Sequence, residues 1–189
     1  MRTDKPWKIT ASQIKYRNPW MQVREDTVIT PTGDDGIYGV LESNDSVMIA
    51  TVDERNRLFL VRTFAYPAQS WNWELPGGGG DNENPIDASK RELEEETGIL
   101  AQNWTKLGVT RVCNGFMTER MTVYLARELS FTGERETSDE QIDQAKFFDM
   151  DTVDTMIEDG EINDSQSITG IYLAQKYIIK NNQDTPTAQ

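Results

Sequence analysis

The sequence predicts one α+β or α/β/α unit of mixed strands and helices, opened by a β-rich segment. Three observations predict it. The first half alternates apolar and polar residues between turn signals, as half-buried strands do. A run of four glycines, Gly77–Gly80, leads into a helix marked at both ends. A second amphipathic stripe lies near the C-terminus. Neither an internal repeat nor a linker interrupts the chain, which at 189 residues is long enough to bury a core without disulfides.

In order, strands are expected at Met21–Ile29, Tyr38–Leu41, Val47–Val52 and Leu58–Phe64, with hairpin turns at Pro31–Gly36 and Asp53–Asn56. The aromatic segment Trp71–Pro76 follows, and the glycine run is expected to end any strand there. Asn84 then suits an N-cap, Pro85 the first helical position and Asp87 the first turn, while Gly98-Ile99 has the form of a glycine C-cap. Ile86 and Leu93 are the residues expected to anchor this helix in the core. Further strands are expected at Leu107–Cys113, Met121–Leu129 and Ala145–Phe148, with an acidic stretch from Gly133 to Glu140 between the last two. Asp151 can cap a short helix reaching Glu158. A last helix, Ser167–Lys180, is expected to bury Ile168, Ile171, Tyr172, Ile178 and Ile179, with Gln175 interrupting the stripe. The expected division is a β-rich segment over 1–45, a main domain over 46–180 and a polar, disordered tail over 181–189.

Composition narrows the chemistry. A hydrophobic content of 37% and a charged content of 27% fit a soluble globular chain, and no apolar run is long enough to cross a bilayer. Met1–Thr10 has no apolar signal core, so a cytoplasmic protein is expected. The lone Cys113 can form no internal disulfide. The absence of histidine removes every Ser-His, Cys-His and two-His metal mechanism, leaving carboxylates to do the chemistry. A formal net charge of −13 argues against a nucleic-acid partner. It also means that a phosphate ester can be held only with divalent cations between the two negative partners.

Those cations have a candidate seat. Glu83 lies six residues after Gly77, and Arg91-Glu92-Leu93-Glu94-Glu95-Glu96-Thr97-Gly98-Ile99 follows. At about 100° per residue, Glu92, Glu95 and Glu96 share one helical face. Clustered like charges resist ionisation and weaken a helix, so such a face calls for a hard cation such as Mg²⁺. Arg91, four residues before Glu95, can brace its carboxylate from behind. A solvated glutamate-rich helix is the plain alternative. Against it, seven required identities match at their spacing, a coincidence on the order of 10⁻⁸ to 10⁻⁹ per start position.

Those residues, Gly77 to Ile99, match the signature G-x5-E-x7-R-E-U-x-E-E-x-G-U, U being aliphatic, and the chain therefore resembles the Nudix hydrolases. The resemblance implies an α/β/α sandwich around a mixed sheet, with the motif as a metal-holding loop-helix-loop. It implies that Glu92, Glu95 and Glu96 ligate Mg²⁺, with Mn²⁺ a possible substitute, that Glu83 and Arg91 support them, and that the carbonyl of Pro76 or Gly77 completes the coordination. Glu95 and Arg91 thereby also count among the catalytic candidates. A general base is implied in the acidic stretch after the motif, with Glu140 the first choice and Glu136 and Asp139 in reserve.

Beyond the motif, Phe64-Ala65-Tyr66-Pro67, Trp73-Glu74-Leu75-Pro76 and Gly115-Phe116-Met117-Thr118-Glu119-Arg120 resemble the ADP-ribose and nucleoside-diphosphate-sugar branch. That branch implies a homodimer built partly by the N-terminal strands. It also implies substrate contacts from Arg62, Tyr66, Trp73, Phe116, Glu119 and Arg120, and Trp20, Phe64 and Trp71 are further aromatic candidates for stacking on a base. One departure is visible: where the branch has an arginine after a Gln-aromatic pair, this chain reads Thr63-Phe64-Ala65, so Arg62 or Arg120 must replace that contact. Three functions follow: hydrolysis of a nucleoside diphosphate sugar such as ADP-ribose, giving a nucleoside monophosphate and a sugar phosphate; hydrolysis of dinucleotides, dinucleoside polyphosphates or nucleoside triphosphates; and non-catalytic sensing of a nucleotide metabolite.

Overall fold

The computed structural model describes residues 5–80, 83–133 and 142–183, and the chain divides into two compact units. Met1–Asn44 with Arg111–Arg120 forms one, and Asp45–Thr110 with Met121–Gln189 the other.

The first unit is an antiparallel sheet in the order β1 (Lys8–Arg17), β2 (Met21–Ile29) and β3 (Asp35–Ser43). Asn18 closes the first hairpin, its Oδ1 accepting from the N–H groups of Trp20 at 2.9 Å and Met21 at 2.8 Å. Gly33 supplies the positive φ, +95°, that the second hairpin turn requires. β1 was not foreseen: all ten of its residues are exposed, so no buried face imposes a period on its sequence. β2 does carry a buried pair, Val28 and Asp26, and the Asp26 carboxylate is satisfied by Ser12 Oγ at 2.6 Å and Arg24 Nε at 2.9 Å. The segment before Arg120 docks on β3, with the Leu41 N–H donating to the Phe116 carbonyl at 2.7 Å and the Tyr38 hydroxyl to the Gly115 carbonyl at 2.5 Å.

The second unit contains β4 (Ser46–Thr51), β5 (Leu58–Ala65), β6 (Ser70–Glu74), β7 (Gly77–Gly79), α1 (Pro85–Thr97), β8 (Ile99–Arg111), β9 (Arg120–Phe131), β10 (Ile142–Phe148), α2 (Met150–Glu158) and α3 (Ser165–Gln183). A mixed sheet runs β7-β4-β9-β8, parallel at β4–β9 and antiparallel at β4–β7, and an antiparallel sheet runs β10-β5-β6. Five of the six β4 residues are buried, because α1 and α3 both pack against this strand. Val47 and Ile49 of β4 meet Ala88 and Leu93 of α1 together with Phe59 and Val61 of β5 in one core cluster. Among the described residues no helix is long and apolar enough to cross a membrane.

Several expected bounds move. The glycine run does not end strand structure: Gly77–Gly79 is itself a strand, pairing with Ser46–Met48. Glycine suits it because a Cβ on Gly77 would lie 2.3 Å from the Val47 carbonyl oxygen. β8 begins at Ile99, well before Leu107, since the chain leaves the αL cap of Gly98 directly into a strand. α1 is anchored by Ala88, Ser89 and Leu93, whereas Ile86 is half-exposed. α2 is capped from Asp149, with Asp151 in its first turn. α3 starts earlier and runs to Gln183, led by the Asp164 carboxylate, which accepts from the Ser167 N–H at 2.7 Å. Its buried stripe is Ser167, Gly170, Ile171, Ala174 and Ile178, while Tyr172 and Ile179 stay exposed. Small residues take those positions because the helix lies close to the sheet: a Cβ on Gly170 would meet Leu75 Cδ1 at 2.5 Å. Residues 184–189 of the expected tail lie outside the described residues.

Candidate active site

Local chemistry sets the site's frame. Leu75 is pinned by a hydrogen bond from its N–H to Ser167 Oγ at 3.0 Å, and the Pro76 carbonyl accepts from the Ile49 N–H at 2.8 Å. These two bonds tie the end of β6 to α3 and to the central strand. β7 then carries the backbone past the acidic helix. The Asn84 side chain accepts from the Ile86 N–H at 3.3 Å to start α1, and Gly98, at φ +66°, ends it.

On α1, Glu92 and Glu96 are buried at 8% and 5% exposure, and Glu95 is half-buried. The Gly77 N–H donates to Glu96 Oε2 at 3.1 Å. Arg91 sits among the others, its guanidinium 3.0 Å from Glu92, 2.9 Å from Glu95 and 3.4 Å from Glu83, and it also reaches the Gly79 carbonyl at 3.3 Å. Burial alone would lower the Arg91 pKa, but the charges of Glu92, Glu95 and Glu83 with the Glu95 hydrogen bond outweigh it and raise the value. Gly78 lies against the helix so closely that a Cβ there would come within 2.7 Å of the Glu92 carboxylate carbon.

This donor set fits a hard divalent cation. Four carboxylates face one guanidinium within two helical turns, and two of them are buried, so the cluster retains uncompensated negative charge that oxygen-loving cations neutralise. Among the described residues no three acidic side chains already converge on a single ion position. Arg91 draws Glu92 and Glu95 toward itself, while Glu96 holds the Gly77 amide.

A cleft of about 570 Å³ opens beside the helix, with Glu96 and Gly77 in its wall. Val61, Thr63 and Ala65 of β5 and Glu74 of β6 supply another wall. The register explains their company: Val61 pairs with Glu74 and Thr63 with Asn72, so these side chains project to one face. Tyr66, 79% exposed, stands at the rim, and Phe64 also lines the cleft. Arg62 projects to the opposite face, where Asp143 holds it at 2.7 Å and its guanidinium lies 5.3 Å from the Trp71 ring centre. Trp73 is a packing residue at 7% exposure, edge-to-face with Phe148 and under Lys146. Phe116, Glu119 and Arg120 belong to the first unit, where Glu119 accepts from Ser43 Oγ at 3.3 Å and Phe116 is exposed, as is Trp20. Glu136, Asp139 and Glu140 lie outside the described residues. Glu74 and Thr63 were not foreseen as site residues, although period-2 counting back from Val61 and forward from Trp73 would have put them on the face away from Arg62 and Trp73.

Comparison with known proteins decides the family. A model of the NUDIX domain matches residues 42–169, and a model of the nucleoside diphosphate sugar hydrolase N-terminal domain matches residues 7–41. The chain belongs to the Nudix family. This Nudix chain is 30% identical over 164 residues to an ADP-ribose pyrophosphatase of Mycobacterium tuberculosis, spanning 85% of this chain and 79% of that one. It is 27% identical over 170 residues to an ADP-ribose pyrophosphatase of Bacillus subtilis, spanning 89% and 92%. Its fold superposes on a crystal structure of an ADP compounds hydrolase with a TM-score of 0.84 at 19% identity, covering 96% of this chain and 98% of the other. The α+β reading, the Nudix resemblance and the enzymatic assignment all stand with these matches. Nudix hydrolases generally require a divalent metal, which agrees with the donor set on α1.

Proposed function

We propose that this Nudix hydrolase cleaves the pyrophosphate bridge of a nucleoside diphosphate sugar, ADP-ribose foremost, to a nucleoside monophosphate and a sugar phosphate with Mg²⁺ as its metal. One observation carries the reading: Glu96 of the acidic helix and Gly77 of β7 are shared between the carboxylate cluster and a cleft of about 570 Å³, room for a sugar or nucleoside beside the diphosphate. The two ADP-ribose pyrophosphatases among its relatives support the same substrate class.

Glu92, Glu95 and Glu96 hold the metal, with a backbone carbonyl near Pro76 or Gly77 completing its oxygen ligands. When bound, the metal neutralises phosphate charge and lowers the pKa of a ligated water. Arg91 keeps Glu92 and Glu95 aligned from behind. Gly77 orients Glu96 through its amide, and its lack of a side chain lets β7 run against β4. A carboxylate of the 133–140 stretch, Glu140 first and Glu136 next, takes the proton of the attacking water. The strand-rich segment over 1–45 serves dimerisation, with the catalytic domain over 46–180, and the enzyme works in the cytoplasm.

The test is a panel of ADP-ribose, other nucleoside diphosphate sugars, dinucleotides, dinucleoside polyphosphates and triphosphates with Mg²⁺ or Mn²⁺, products being resolved by ion-exchange chromatography. AMP and ribose phosphate from ADP-ribose are expected, lost with a chelator and reduced at least roughly a hundredfold in Glu96→Gln. Absence of metal-dependent cleavage across the panel would overturn the proposal.

A further inference from the structure

The two faces of the β10-β5-β6 sheet differ in charge. On the face away from the cleft, Arg62 is held by Asp143 at 2.7 Å and lies over Trp71, and Lys146 lies 5.2 Å from the centre of Trp73 and 4.9 Å from that of Phe148. On the cleft face the register gathers Val61, Thr63, Ala65 and Glu74, with Asn72 buried beside them and accepting from Ser70 Oγ at 3.4 Å. The described residues lining the cleft therefore include two carboxylates, Glu74 and Glu96, and no cation. Glu96 is taken up by the Gly77 amide and the metal cluster, which leaves Glu74 as the charge that meets the rest of the substrate.

We infer that Glu74 is a specificity-determining residue: it accepts hydrogen bonds from the hydroxyls of an uncharged sugar in the cleft and rejects groups that bring a further negative charge. The inference rests on the hydrolase reading above. A carboxylate offers acceptors and no donors, so paired sugar hydroxyls satisfy it, whereas a phosphate or carboxylate finds like charge in a half-enclosed, apolar-walled site. Met48, Val61 and Leu75 supply those apolar walls and limit the water available to screen the repulsion. Repulsion of this kind selects by penalising the wrong ligand.

The experiment compares ADP-ribose with two analogues carrying one extra phosphate, on the adenosine ribose in one and on the terminal ribose in the other. At least one analogue should show a kcat/KM lower by about ten- to a hundredfold, and that analogue names the sugar in the cleft. Glu74→Gln should recover most of that loss while raising KM for ADP-ribose more than it lowers kcat. Thr63→Lys, which places a cation on the same face, should favour the penalised analogue further. Calorimetric binding of the three ligands with Mg²⁺ reads the same ratios without turnover, so failure of the hydrolase reading and failure of this one are separable. Equal affinity and efficiency for all three ligands overturns the inference. So does a penalty that both variants leave intact, or a Glu74→Gln enzyme whose kcat collapses on every substrate, which would make Glu74 part of the chemical step.

Discussion

Gly78→Ala separates the metal site from the fold. The added methyl would lie 2.7 Å from the Glu92 carboxylate carbon and 2.8 Å from each of its oxygens. Ordinary van der Waals contact begins near 3.4 Å, so the carboxylate must move by roughly 0.7 Å. The obstacle is the far end of a flexible side chain, so folding should lose little, under about 1 kcal/mol. The ligand itself, however, is displaced by most of an ångström, and misplacement on that scale costs up to about a hundredfold in rate. The expected outcome is a melting temperature within about 3 °C of wild type together with a ten- to hundredfold lower kcat/KM and a higher Mg²⁺ requirement. Gly77→Ala is the control, because its methyl would meet the Val47 carbonyl oxygen at 2.3 Å and Met48 Cα at 3.1 Å, which are backbone atoms. That variant should lose about 2 kcal/mol, some 4–8 °C at this chain length. Thermal melts and Mg²⁺ titrations of both proteins decide it. If Gly78→Ala melts as early as Gly77→Ala, or keeps wild-type activity at limiting Mg²⁺, the placement of Glu92 as a ligand is wrong.

Arg91→Gln removes the cation that three glutamates share, and the Mg²⁺ concentration for half-maximal activity should rise at least about tenfold. Added Mg²⁺ should also raise the melting temperature more in this variant than in wild type; an unchanged Mg²⁺ dependence would dismiss Arg91 as a brace. In the first unit, hydrogen bonds from Ser12 and Arg24 hold the Asp26 carboxyl below its ordinary value of 3.8. Because the folded pKa is depressed, its stabilisation is present above that value and is lost as pH falls through the folded one. Asp26→Asn should therefore melt earlier than wild type at neutral pH, with the gap closing under acid; a gap that persists at the lowest pH refutes an electrostatic origin.

The α1 motif was the most legible part of the chain because its signals are local. Asn84, Pro85 and Gly98 act within one turn of the positions they mark, and Glu92, Glu95 and Glu96 share a face by helical geometry alone. Signals that depend on partners were harder to read. β1 has no buried side to impose alternation, and Gly77–Gly79 reads as a breaker until β4 is beside it to supply the pairing. α3 buries glycine, serine and alanine rather than its largest apolar residues, because contact with Leu75 and Val123 sets the face. Glu74 and Thr63 reach the cleft through a cross-strand register, which the sequence of either strand alone does not specify. Trp73 shows the converse: an aromatic next to a motif looks like a base platform, yet Phe148 and Lys146 enclose it.

The charge distribution makes substrate and metal binding one event. The cations of the outer sheet are spent on Asp143 and on aromatic rings, Arg91 is surrounded by glutamates, and the described cleft wall presents carboxylates. A phosphate about 6 Å from one such carboxylate is opposed by roughly 3 kcal/mol at an effective dielectric constant near 20, and a diphosphate meets more than one. Binding in the absence of metal should therefore weaken by at least about a hundredfold. Reciprocity then requires the substrate to tighten metal binding by the same factor. Calorimetry with a nonhydrolysable ADP-ribose analogue measures both arms, the analogue with and without Mg²⁺ and Mg²⁺ with and without the analogue. Matching factors of a hundred or more are expected. An analogue that binds as tightly in chelator would mean that side-chain cations grip the phosphates, and the acidic helix would lose its assigned role in substrate binding.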